Sequence, residues 1–135
     1  MELAIDSVGP SASVAVSDAG RVLAEISWSP GRRHTPTLVP MIDAVCKAAA
    51  IERAELEAVF VDVGPGAYGG IRAGMTAAAA LATVLDLAAV GMGRLEIEAY
   101  AQAAVRGPIV ALHDAGLAPD VRAAATRYIG EMQTA

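Results

Sequence analysis

The stretch Leu56–Met75, "LEAVFVDVGPGAYGGIRAGM", decides how this chain folds. Its first eight residues form a near-continuous apolar run, the pattern of a parallel-sheet strand buried on both faces. Val63–Met75 then holds five glycines in thirteen residues and runs straight into "TAAAALATVL". That sequence predicts a helix over Ile71–Leu87, apolar or small on almost every side. The loop between strand and helix has two readings. In one, the backbone amides of Gly64, Gly66, Gly69 and Gly70, aimed by a helix N-terminus, cradle phosphate. In the other, the glycines supply the positive φ angles of a tight turn. The run lacks the lysine–serine or lysine–threonine ending of a Walker loop, and a lone glycine pattern is common, so the turn reading is preferred.

Upstream, "ELAI" leads into the turn-rich Asp6–Pro10, and "SASVAVS" alternates serines with Val14 and Val16 at the period of a half-buried strand. Asp18-Ala19-Gly20 reads as a hairpin turn into "RVLAEISW", which completes a three-stranded antiparallel meander. From Thr35 the period becomes helical. Leu38, Ile42, Val45 and Ala49 share one face, and Met41, Ala44 and Ala48 form a second, weaker one. Asp43 and Lys47 make an exposed stripe between them. Pro40 lacks the amide that would bond to residue 36, so a late start or a kink is expected there. Downstream, "LAAVGM" reads as a strand, "RLEIEAYAQAAV" as a third helix and "PIVALH" as a last strand. Pro119–Met132 reads as helical, with Val121, Ala125, Tyr128 and Met132 in phase.

The expected fold is α/β: three antiparallel strands followed by parallel strands, with helices on both faces, one half of a ribonuclease H-like architecture. Residues 1–108 form that domain. Residues 109–135 are expected to form a short strand and a helical C-terminal segment, the remnant of the start of a second one.

The composition narrows the function. Apolar residues make up 55% of the 135 residues and charged residues 19%, which argues against disorder. Net charge is −5, and no basic block exceeds Arg32-Arg33, so this chain alone offers nucleic-acid phosphates no basic groove. The Ala73–Leu85 run stops at Asp86, short of the ~20 residues a membrane span needs. Nothing resembles a signal peptide, and a cytoplasmic protein is expected. The single cysteine, Cys46, excludes an internal disulfide and reads as a small packed hydrophobe.

Three segments, "LAIDSVGPSASVAVSDAGRVLAE", "GRRHTPTLVPMIDAV" and above all "GPGAYGGIRAGMTAAAALA", resemble the TsaB (YeaZ) family. Members of that family are accessory subunits in threonylcarbamoyladenosine formation on tRNA. The resemblance covers about the first 105 residues. It implies the actin, Hsp70 and sugar-kinase fold group, whose members bind ATP between two such halves. It also implies pairing through the first two helices with a copy or with the catalytic TsaD paralogue, and association with further tRNA-modification subunits. TsaD carries a metal-binding histidine pair on its third helix. The matching positions here are Arg94 and Glu98, which can form an i,i+4 ion pair but not a two-imidazole site.

No catalytic residue and no metal ligand is assigned. Asp6 and the four loop glycines are the only candidates for phosphate, and ATP or ADP is expected only if a second cleft wall is supplied. A turn or capping role is the preferred reading of Asp6 and Ser7. His34, His113 and Asp114 lack partners at catalytic spacing and read as structural or surface residues. The two helices expose more apolar surface than one sheet covers, so they are expected to face a partner. The expected interface holds His34, Leu38, Met41, Val45, Met75, Ala78, Ala79 and Ala82. The expected function is a non-catalytic subunit that homodimerises or binds the TsaD paralogue. The alternatives are an ATP-binding phosphotransferase or hydrolase of the same fold group, or a self-associating chain with no tRNA role.

Overall fold

A computed structural model of the chain describes residues 1–31, 34–107, 109 and 111. The side chains of His34 and Thr35 lie outside the described set, as do His113, Asp114 and the helix expected over Pro119–Met132. Strands β1 (Glu2–Asp6), β2 (Ala12–Asp18) and β3 (Arg21–Trp28) precede helix α1 (His34–Ala48). Strand β4 (Ala58–Asp62), helix α2 (Tyr68–Leu85), strand β5 (Ala88–Met92) and helix α3 (Arg94–Tyr100) follow. The sheet order is β3-β2-β1-β4-β5, antiparallel through the first three strands and parallel from β1 to β4 and β4 to β5. This is the ribonuclease H-like arrangement that the sequence order implied. The β2–β3 turn takes positive φ at both Ala19 and Gly20, as a two-residue hairpin requires.

The register explains the core. Leu3 faces Val16 on one side and Val59 on the other, and Ile5 faces Val14 and Val61. These six side chains therefore point to one face of the sheet, where they bury against Leu38, Ile42, Val45 and Cys46 of α1 and Ala73 and Ala78 of α2. On the opposite face Ala4, Ala15 and Phe60 retain exposure. There they line a cavity of about 280 Å³ together with Ile97 and Tyr100 of α3. Helices thus lie on both faces, though β4 is fully buried on only one of them. Cys46 packs in the core as expected, and burial pushes its thiol pKa up.

Three helix boundaries differ from expectation. Helix α1 runs without a break through Pro40 instead of starting late. Pro36 occupies the first turn, where an amide would be unpaired anyway, and Pro40 forgoes a single bond while its ring stays exposed. Helix α2 begins at Tyr68, three residues early, so Gly69 and Gly70 belong to its first turn. Helix α3 ends at Tyr100 rather than near Val105. Residues 101–107 are all exposed, and an alanine-rich segment without a packing face does not sustain a helix.

Candidate functional site

Two features of this fold can carry function: the loop at the carboxyl ends of β1 and β4, and the outer face of α1 and α2. The loop lies where the parallel and antiparallel parts of the sheet meet, the usual ligand crevice of open α/β sheets.

Gly64 sits at φ +90°, a left-handed conformation that favours glycine. Its amide donates to Asp62 Oδ1 at 2.8 Å, and its carbonyl accepts the Arg94 amide at 2.8 Å. The Ala67 amide donates to the Val8 carbonyl at 2.8 Å. A Cβ on Gly66 would stand 2.7 Å from the Val8 carbonyl oxygen, and one on Gly70 would stand 1.8 Å from that of Ser7. The Ser7 hydroxyl donates to the Gly70 carbonyl at 2.8 Å, closing the same contact. Gly69 alone is exposed, with open space where a Cβ would go. The glycines thus let α2 pack directly on the backbone after β1. The amides of Gly64 and Ala67 are already committed to protein acceptors.

Asp6 accepts the Val8 amide on Oδ1 at 3.2 Å, the turn role expected of it. Its Oδ2 accepts from Arg94 Nη1 at 2.5 Å. The same Nη1 donates to Asp62 Oδ2 at 3.1 Å, and Arg94 Nε donates to Glu98 Oε1 at 2.9 Å. Arg94 and Glu98 are therefore more than an exposed i,i+4 pair: the guanidinium reaches inward to two strand ends. The cation facing Asp6 comes from this domain itself, not from a second half. Burial pulls the Arg94 pKa down, but the hydrogen bonds it donates to Glu98 and Asp62 and the charge of Asp6 outweigh that and hold the guanidinium above its ordinary range. Among the described residues three carboxylates surround one guanidinium, a net negative cluster and a poor setting for phosphate. Nor do these residues suit a metal. A guanidinium does not ligate one, and among the described residues no group of three or more His, Cys, Asp and Glu side chains could hold one.

Asp62, fully buried, escaped the sequence reading. Its position at the end of an apolar strand, just before the glycines, repeats that of Asp6 and was the available signal.

The helical face divides the expected interface residues. Leu38, Val45 and Ala78 are buried in the chain's own core at 1%, 0% and 1% exposure, which leaves them no surface to offer a partner. Helix α1 turns its larger apolar stripe to the sheet, because that is where burial removes most area from water, whereas α2 turns its small residues Gly70, Ala73, Gly74 and Ala78 inward. Met75 and Ala79 are exposed, and Met41 and Ala82 are half-buried. Around them stand Val39, Ala80 and Val84, the last 81% exposed. Val39, Ala77, Leu81 and Val84 line a groove of about 220 Å³ between the two helices. Helix α3 lies by the far face of the sheet and leaves this groove open. Among the described residues, no helix is long and apolar enough to cross a membrane.

The sequence model of the family described as "TsaD: tRNA N6-adenosine threonylcarbamoyltransferase" matches residues 21–132. A tRNA N6-adenosine threonylcarbamoyltransferase of Erythrobacter litoralis is 35% identical over 77 residues, 57% of this chain and 22% of that protein. The tRNA threonylcarbamoyladenosine biosynthesis protein TsaB of Escherichia coli is 31% identical over 93 residues, 69% of this chain and 40% of that protein. Among solved structures, YeaZ from Pseudomonas aeruginosa matches with a TM-score of 0.70 at 27% identity, covering 75% of this chain and 47% of that one. The chain therefore spans less than half the length of each of these relatives.

Proposed function

The chain belongs to the TsaD family of tRNA N6-adenosine threonylcarbamoyltransferases, and from that premise we propose that it is a TsaB-like, non-catalytic partner subunit. It docks through the outer face of α1 and α2 onto a TsaD-type paralogue in the cytoplasm, and pairs with its own copy when that paralogue is absent. The observation that carries this reading is the apolar face itself. Val39, Met75 and Val84 stand exposed beside Ala79 and Ala80, small enough to let a partner helix approach closely. The likeness to TsaB of Escherichia coli supports the tRNA threonylcarbamoyladenosine pathway as the setting.

Val84→Glu tests the face, because an 81% exposed position tolerates charge without unfolding the domain. In sedimentation velocity at micromolar concentration, the wild-type chain should associate. The variant should weaken that association by at least about tenfold with unchanged melting. Equal association by both proteins would place the contact elsewhere.

The non-catalytic part rests on the loop, whose amides at Gly64 and Ala67 bond within the protein and whose carboxylates leave it net negative. Calorimetry with ATP and magnesium should therefore detect no micromolar binding by this chain alone. Micromolar binding would favour the ATP-dependent enzyme instead.

A further inference from the structure

We propose that Arg94 is a positioning residue, a latch that fixes the glycine loop and, through it, the first turn of α2. As the first residue of α3, Arg94 holds four points at once. Its amide takes the Gly64 carbonyl, Nη1 takes Asp6 and Asp62, and Nε takes Glu98. Asp62 in turn accepts the Gly64 amide. The Gly64 residue is thus clamped from both sides by two residues that also bond to each other. That ring connects β4, the loop and α3, and the Asp6 arm ties it to β1. From Asp6 the chain continues directly into Ser7 and Val8, which bond Gly70 and Ala67. The contacts that set the start of α2 against β1 therefore sit within two residues of an Arg94 partner or of the clamped loop.

Removing the guanidinium leaves Asp62, with its side chain 1% exposed, as a buried carboxylate held, among the described residues, only by the Gly64 amide. Asp6, which shared the same Nη1, then faces it without that cation between them. Repulsion and desolvation would open the ring at its weakest part, which is the loop. The latch acts within one chain and does not depend on the docking reading, since exchange in the isolated protein reads it directly.

Amide hydrogen exchange on the full chain tests it, comparing wild type, Arg94→Lys and Arg94→Ala. In Arg94→Ala the amides of Val8, Gly64 and Ala67 should exchange at least about tenfold faster, while those of Val14 and Ile26 in the β2–β3 hairpin keep their rates. Arg94→Lys retains the charge but loses the fork, so it should show the same local pattern at smaller amplitude. Millimolar methylguanidinium should restore protection in Arg94→Ala where sodium chloride at equal ionic strength does not. Unchanged exchange at the three amides, or equal acceleration throughout the chain, would overturn the latch, as would rescue by salt alone. If Arg94→Ala fails to fold, the local or global pattern in Arg94→Lys decides.

Discussion

Gly70→Ala is expected to destabilise the fold by about 3 kcal/mol, while its neighbour Gly69→Ala is neutral or stabilising by up to about 1 kcal/mol. Both glycines lie in the first turn of α2. Helix propensity alone favours alanine at each, because glycine loses more backbone entropy on folding. Sterics separate them. A Cβ on Gly70 would sit 1.8 Å from the Ser7 carbonyl oxygen and 2.9 Å from its carbonyl carbon, whereas one on Gly69 meets nothing within 4 Å. Both obstructing atoms are backbone, fixed by the end of β1. Relief therefore requires α2 to move outward by more than an ångström, breaking the Ser7 to Gly70 bond and loosening Ala73, Gly74 and Ala78 in the core. Chemical denaturation of the two variants gives opposite signs if the glycines serve packing. If Gly70 served only a flexible loop, both substitutions would be tolerated alike.

The second large effect falls on a residue that sequence pattern placed at the interface. Leu38→Ala is expected to cost about 3 kcal/mol of folding stability, within the 2–5 kcal/mol of buried leucine truncations. Leu38 is 1% exposed and belongs to the cluster that joins Ile5, Val14 and Val61 to α1. Deleting its side chain leaves a cavity under α1, and the surrounding sheet cannot collapse to fill it. The measurement is a denaturant midpoint under conditions where the chain is monomeric. An interface leucine would leave that midpoint unchanged and weaken only association.

Leu38 also shows how far sequence alone could go. Its spacing with Ile42, Val45 and Ala49 identified the helix and one of its faces. The residues of a single helix do not say which apolar stripe meets the sheet. On α2, where nearly every position is small or apolar, the ambiguity is greater still, and Ala78 and Ala79 went to opposite environments. The strand order was legible because alternation, hairpin turns and crossover handedness are all local or topological rules. Helix α3 was read too long because periodicity in "AYAQAAV" looks helical whether or not anything covers it.

The site followed the same division. Asp6 as a turn residue was readable from its neighbours. Its pairing with Arg94 joins residues 88 positions apart, and that of Asp62 with Arg94 joins residues 32 apart. Both depend on parallel strands bringing their carboxyl ends together beneath the start of α3. The Arg94–Glu98 spacing signalled an ion pair and nothing of what lay behind it.

The proposal that α1 and α2 form a docking face is tested most directly by titrating this chain, wild type and Val84→Glu, against a TsaD-type protein from the same cell in a binding calorimeter. Saturable binding by the wild type, lost in the folded variant, is the predicted result. No binding by the wild type, or binding of equal strength by both proteins, would contradict the claim that α1 and α2 carry the function.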